Sequence, residues 1–135
     1  MTVKTKLICV LAAVIRREAS YLIAKRPGHK RHGGLWEFPG GKVEQSEDHL
    51  CAARRELQEE LGVQVGAVGS VLFEQQDPGS QFLIQFVEVQ ITGEPQALEH
   101  EAVAWVPVSD LQQYSLAPTD AAFVLHLIRD HATRA

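Results

Sequence analysis

Apolar positions fall into three kinds of pattern along the chain: short unbroken runs, period-two alternation, and one long stretch at helical spacing. Leu7–Ile15 (LICVLAAVI) is an unbroken apolar run with β-branched Val10, Val14 and Ile15, as expected of a strand buried on both faces. Tyr21–Ala24 predicts a second strand, with Arg17–Ser20 as the hairpin turn between them. Arg26–Gly34 (RPGHKRHGG) has no periodicity and reads as a loop leading into Leu35–Phe38 and the Pro39-Gly40-Gly41 break. From Ser46 to Leu61 the spacing is helical. Leu50, Ala53, Leu57 and Leu61 form one stripe, Ser46 is the expected N-cap with Glu47 and Asp48 in the first turn, and Gly62 stands at the C-terminal cap. Val63–Phe73 and Gln81–Ile91 predict two strands around an Asp77-Pro78-Gly79 turn. Along the second, Phe82, Ile84 and Phe86 share one face, for which core packing is the commoner use. Ala102–Val106 predicts a last strand, and Leu116–His131 a closing helix with Leu116, Phe123, Val124 and Leu127 inward.

Strands, a central helix, more strands and a final helix make an α+β domain, layered as α/β/α around a mixed sheet. The 135 residues suit one domain, and neither a repeat nor a linker interrupts them. A hydrophobic content of 45% excludes a disordered tail. With 13 Lys+Arg against 17 Asp+Glu, stable binding of long nucleic acid is not expected, because it needs a basic face. Cys9 and Cys51 are too few for a disulfide framework and are expected as buried, reduced thiols of a cytoplasmic protein. The lysines ahead of the first apolar run imitate a signal peptide, but Arg16, Arg17 and Glu18 follow at once without a small-residue cleavage site. That run is also far short of the roughly twenty residues a membrane span takes. Neither membrane association nor an oligomer is expected.

Chemistry concentrates between Gly41 and Val63. On a helix, Glu56, Glu59 and Glu60 are neighbours flanking the apolar stripe, and only Arg54 and Arg55 lie close enough to offset them. A lone cluster of this kind is a solvated acidic face. Here it stands behind a Gly-Gly turn, a preceding Glu47 and a terminal Gly62. Repelling carboxylates on adjacent turns suit a hard divalent cation, which takes oxygen ligands and bridges them to substrate phosphates. Arg55 can orient one of the carboxylates.

Gly41, Glu47, Arg55, Glu56, Leu57, Glu59, Glu60, Gly62 and Val63 fill every fixed position of a pattern that resembles the Nudix box, G-x5-E-x7-R-E-U-x-E-E-x-G-U with U apolar. At average composition, a chance match has a probability on the order of 10⁻⁸. The resemblance implies a Nudix-type α/β/α sandwich that hydrolyses a nucleoside diphosphate linked to another group. It implies Mg²⁺, with Mn²⁺ as the alternative, held by Glu56, Glu59, Glu60 and the Gly40 carbonyl, with Arg55 in the catalytic set and Glu47 holding the box together through Arg55. A glutamate outside the box often serves such enzymes as base or further ligand. Glu99 and Glu101 are the candidates, against the reading of both as solvated loop carboxylates; Glu99 is favoured because Leu98-Glu99-His100, with Trp105 six residues after Glu99, resembles the MutT and CTP pyrophosphohydrolase branch.

Trp36–Glu44 (WEFPGGKVE) and Ala24–Pro27 (AKRP) are similar to the MutT and CTP pyrophosphohydrolase branch of that family. That similarity makes Arg26, Glu37 and Phe38 candidates for substrate contact, against the reading of Arg26 as a solvated loop arginine. His29–His32 is either a phosphate-attracting patch or an unstructured loop. Leu116–Asp120 (LAPTD) resembles the element that opens the last helix in this group, where an Asn contacts the base. Asp120 stands there instead. If ionised it only accepts hydrogen bonds, which suits an exocyclic amine such as cytosine N4 or the N–H and amino edge of an oxopurine, and raises the CTP-type reading over strict 8-oxo-dGTP specificity. It also serves as an N-cap candidate, as does Thr119. The expected reaction is Mg²⁺-dependent cleavage of a nucleoside triphosphate, oxidised, modified or cytosine-bearing, to the monophosphate and pyrophosphate. Pyrophosphate removal from RNA 5′ ends is the alternative, and a non-catalytic nucleotide-sensing module ranks behind both.

Overall fold

The computed structural model describes residues 6–134, with side chains through His131. Of the two lysines ahead of the first apolar run, Lys4 lies outside the described residues. The elements are β1 (Ile8–Val14), β2 (Arg16–Arg17), β3 (Ser20–Lys25), β4 (Trp36–Glu37), β5 (Gly40–Lys42), α1 (His49–Leu61), β6 (Gln64–Gln76), β7 (Phe82–Thr92), β8 (Ala102–Pro107), a 3₁₀ turn (Val108–Gln113) and α2 (Pro118–Arg134).

The strands make two sheets. One runs β5-β1-β7-β6, and in the other β3 pairs with β2, β4 and β8. β1 is parallel to β7, with Ile8 opposite Phe82 and Val14 opposite Glu88, and antiparallel to β5. This parallel pair makes the first sheet mixed. Because successive strand residues point to opposite faces, each buried strand feeds two cores. Leu11, Ala13, Ile15, Leu22, Val87 and Val89 pack with Ala53, Leu57 and Leu61 of α1. Ala12, Val14, Ile23 and Phe86 pack with Phe123, Val124 and Leu127 of α2. One helix therefore covers each side of the strands, the α/β/α layering that the element order predicts.

The differences from expectation lie at element ends. Ser46 does not cap α1; Asp48 does, its carboxylate accepting from the Cys51 N–H at 2.8 Å. The Glu47 N–H turns back to the Glu44 carbonyl and the Glu47 carboxylate is claimed by Arg55, so the helix starts later and neither acid lies in its first turn. Gly62 ends the helix at φ 68°, a left-handed conformation suited to glycine, as expected. Cys51 is exposed, not buried, because it lies off the apolar stripe, and Cys9 is half-buried. The predicted turn between β1 and β3 tightens to Glu18-Ala19, since Arg16 and Arg17 pair with Tyr21 and Ser20. β6 runs three residues past Phe73, because Glu74–Gln76 continue the ladder against Gln85, Ile84 and Leu83 despite their polar side chains. α2 starts at Pro118, whose missing N–H costs nothing in a first turn. Leu116 is left outside it, bridging to Trp36. The Ala117 carbonyl takes the first helical bond, from the Ala121 N–H, so neither Thr119 nor Asp120 is the N-cap. Among the described residues no helix is long and apolar enough to cross a membrane.

Candidate active site

The box folds around Arg55. Its guanidinium forks onto Glu47, Nε to Oε2 at 2.9 Å and Nη2 to Oε1 at 2.7 Å. Nη2 also donates to the Lys42 carbonyl, and Nη1 reaches Glu56 Oε1 at 2.6 Å. One arginine thus ties the loop before the helix to the helix itself. The Glu47 carboxyl is held down at about 2, chiefly by the hydrogen bond from Arg55, and Arg55 is raised in return. Gly41 lies so close to Glu56 that a Cβ there would meet the carboxylate, and a Cβ on Gly40 would run into the Leu11 carbonyl. These glycines are required by close approach as much as by turning.

Glu60, one turn beyond Glu56, is only 6% exposed. Burial first, then the charges of Glu37 and Glu56, push its carboxyl up to about 9, against a backbone hydrogen bond with Gly40 that lowers it. Glu59 sits on the exposed side of the helix. Among the described residues no three His, Cys, Asp or Glu side chains are already gathered as a metal cage; Glu56 is turned to Arg55. The donor set nevertheless fits a hard divalent cation. It consists of carboxylate oxygens, with Glu60 crowded by Glu37 and Glu56, so a cation would relieve their mutual repulsion.

Glu99 is exposed, and among the described residues no hydrogen bond or ion pair joins it to the box. Its neighbour His100 turns inward instead. His100 Nε2 lies 2.9 Å from Glu37 Oε2 and 3.7 Å from Glu60 Oε1. With Glu37 accepting, Nε2 carries the proton, and Nδ1 is left buried without a partner. Sequence reasoning overlooked this histidine; the signal was a histidine beside an acid immediately ahead of β8. Glu101 is used elsewhere, accepting from the Gly28 N–H at 3.1 Å.

From Glu37 and Gly41 a cavity of about 210 Å³ runs away from the box, lined by Arg26, Arg31, His32, Asp77, Phe82, Ile84 and Asp120. A smaller hollow of about 100 Å³ at Phe38, Gly40 and Gly41 joins it to the box. A larger hollow of about 480 Å³, beside Tyr21, Leu127 and His131, contains no box residue.

Arg26 is not a solvated loop arginine. It donates to Glu37 Oε1 at 2.9 Å and to the Arg31 carbonyl at 2.5 Å. The Phe38 ring is packed in the core against Phe86 and Phe123, so this residue presents its backbone to the cavity. Its N–H donates to Asp120 Oδ2 at 2.9 Å. Asp120 is buried. That burial, with Glu37 next, pushes its carboxyl well above the usual range and favours the protonated form. A protonated Asp120 would offer both a donor and an acceptor, the pair an Asn offers, where an ionised one only accepts. The loop from Arg26 to Gly34 is also structured, through Arg31 and His32, which meet the Asp77 carboxylate at 2.9 and 3.2 Å.

The NUDIX domain family model matches residues 5–127. The chain is 41% identical over 118 residues to a CTP pyrophosphohydrolase of Escherichia coli, covering 85% of this chain and 87% of that protein. It is 32% identical over 131 residues to an 8-oxo-dGTP diphosphatase of Haemophilus influenzae, covering 93% and 94%. Its fold superposes on the solution structure of the E. coli ORF135 protein with a TM-score of 0.80 at 38% identity, over 96% of this chain and 94% of that one.

Proposed function

We propose that this chain, which belongs to the NUDIX domain family, is a divalent-metal-dependent nucleoside triphosphate pyrophosphohydrolase of the MutT type, releasing a nucleoside monophosphate and pyrophosphate. The observation that carries this reading is the continuity of the box with the cavity. Glu37 and Gly41, beside the acidic box, line the cavity together with Arg26 and Asp120, and Arg31, His32 and Asp77 complete its wall.

Glu56 and Glu60 are the residues to hold Mg²⁺, or Mn²⁺, with Glu59 and the Gly40 carbonyl completing the oxygen set. The bound cation would neutralise phosphate oxygens and lower the pKa of the attacking water. Arg55 holds Glu56 and ties it to Glu47, so Glu56 would turn from Arg55 towards the cation as the ligand set closes. Arg26, spaced from the box by Glu37, is placed to meet the triphosphate, and His100 holds Glu37 from the other side. Glu99 keeps its assignment as base or further ligand only if the loop before β8 moves towards the metal. Asp120, on the cavity wall beside the Phe38 N–H, reads the base. Its carboxyl suits either an exocyclic amine or an oxopurine edge, so the cytosine and oxidised-guanine nucleotides both fit. The unpaired thiols suit a cytoplasmic enzyme that acts as a monomer on free nucleotides.

The test is initial rates with Mg²⁺ on CTP, dCTP, dGTP, 8-oxo-dGTP and a 5′-triphosphate RNA, with pyrophosphate as readout. The reading expects pyrophosphate from at least one free nucleotide. Turnover of RNA alone would replace it with the RNA 5′-end activity, and no turnover of any substrate would leave a nucleotide-sensing module.

A further inference from the structure

Asp77 has the sequence setting of a plain turn residue, yet its side chain takes no part in the turn. The β6–β7 turn is closed by backbone and by Ser80: the Asp77 N–H donates to the Phe82 carbonyl at 2.8 Å, and the Ser80 N–H and hydroxyl both donate to the Asp77 carbonyl, at 3.1 and 2.8 Å. The Asp77 carboxylate is only 5% exposed and faces the other way. Its Oδ1 accepts from the Thr119 hydroxyl at 2.7 Å; its Oδ2 accepts from Arg31 Nη2 at 2.9 Å and lies 3.2 Å from His32 Nε2. Arg31 Nη2 lies also 3.3 Å from the Pro78 carbonyl. Burial alone would raise this carboxyl, but the bonds from Thr119, Arg31 and His32 together hold it below its ordinary value.

Three separate segments therefore meet on one carboxylate: the Arg26–Gly34 loop, the β6–β7 turn and the first turn of α2. The loop's base is zipped by Arg26 N–H to the Leu35 carbonyl and Gly34 N–H to the Arg26 carbonyl, both at 2.9 Å. Its tip is held to the body of the protein by Arg31 and His32. Both side chains line the same cavity as Asp120, and the fully buried Thr119 directly precedes Asp120. A buried, charge-assisted contact of this kind fixes geometry as well as contributing stability.

We infer that Asp77 is a positioning residue for base selection, holding the loop tip closed over the nucleotide cavity and fixing the start of α2 that carries Asp120. This rests on the nucleotide reading of the cavity given above. Asp77 touches no reacting atom; it acts through Arg31, His32 and Thr119.

The experiment compares wild type with Asp77→Asn, which keeps the size and the acceptor for Thr119 but removes the charge facing the loop, and with the surface variant Arg31→Ala. Steady-state rates are measured on CTP and 8-oxo-dGTP, and trypsin cleavage after Lys30 and Arg31 is followed without nucleotide. Loop protection is read at Lys30, which both variants keep. The expected result is that both variants raise KM for the preferred nucleotide roughly tenfold, the size of one lost charge-assisted contact, with kcat within about threefold. The preference between the two bases should shrink, the double variant should do no worse than Asp77→Asn alone, and cleavage should quicken. An unchanged base preference, or a kcat loss at unchanged KM, would overturn the assignment, as would unaltered cleavage. A lowered melting temperature with unchanged base preference would leave Asp77 a purely structural residue. If the wild type hydrolyses no triphosphate, the functional reading itself has failed and the base-selection role falls with it, a result distinct from any difference between variants.

Discussion

Two carboxylates are shielded from solvent, Glu60 in the box and Asp77 on the cavity wall, and they are shifted in opposite directions. At the box, Glu60 faces Glu37 and Glu56, and its carboxyl is pushed up to about 9 by burial and then by those charges. On the cavity wall, Asp77 is as little exposed, yet its carboxyl is less deeply desolvated and accepts from a hydroxyl, a guanidinium and an imidazole, which hold it below its usual value. Both the depth of desolvation and the partners differ. A buried acid left without a cation is a poor stabilising device, because desolvation and like-charge repulsion both oppose ionisation. A cation bound at the box would complete Glu60. Asp77 is already complete, so it belongs to the scaffold that shapes the cavity.

The sharpest way to break this contrast is to neutralise the crowded acid. Glu60→Gln is expected to lower kcat by roughly 10³-fold, several kcal/mol of lost metal assistance. It should also raise the melting temperature of the metal-free protein, since a buried acid facing two others is gone. Mg²⁺ at a hundredfold excess over its Kd is expected to stabilise the wild type by about 2.7 kcal/mol and the variant hardly at all. Calorimetry with and without Mg²⁺, beside initial rates, checks both halves.

Arg55→Ala should come next, with a loss of roughly 10- to 100-fold in kcat, the range for a residue that orients a metal ligand. Here apo stability should fall, because Glu47, Glu56 and the Lys42 carbonyl all lose their donor. If metal affinity measured by titration is unchanged, Arg55 is a structural tie only.

Asp120→Asn tests the cavity wall, and a change of roughly tenfold is expected in the ratio of kcat/KM between cytosine and oxidised-guanine nucleotides. Its stability signature has a definite sign. A raised folded-state pKa contributes stability that is fully present below the unfolded value, about 4, and is lost as pH rises through the folded value. The wild type should therefore lose stability relative to Asp120→Asn from about pH 4 upward. Parallel melting curves across pH would show that Asp120 carries no such shift. Smallest of all, Asp48→Ala removes the α1 cap and should cost about 1 kcal/mol of stability while leaving kcat and base preference alone. A base-dependent change in turnover would mean the cap reaches the site.

The box and the cavity wall also differ in how far the sequence disclosed them. The box was legible because its residues are local: one helix and the loop before it set the spacing of Glu47, Arg55, Glu56 and Glu60, and helical periodicity converts spacing into a shared face. The strands were legible as far as their apolar positions reached. Glu74–Gln76 escaped because β6 continues there with polar side chains. Asp48 displaced Ser46 as the cap because the preceding turn and the Arg55 fork took up the chain, and neither shows in propensity. The cavity wall was mostly hidden. Arg31 and Thr119 lie 46 and 42 residues from Asp77 in sequence, and no periodicity links them. His100 was missed in favour of Glu99 because a loop has no repeat to say which of two neighbours turns inward. The protonation preference of Asp120 was likewise out of reach, since it follows from a depth of burial that only packing creates.

The spread of those partners along the chain also orders events during synthesis. Glu37, Gly40, Gly41, Glu47, Arg55, Glu56 and Glu60 have all been joined before β6 begins, whereas the ring of residues around the cavity lacks its last members until Thr119 and Asp120 have been added. A nascent chain halted after β8 would carry the acidic box residues and His100 but neither Thr119 nor Asp120. On the role proposed for Asp120, discrimination would be the last property acquired in synthesis and the first lost if α2 came away.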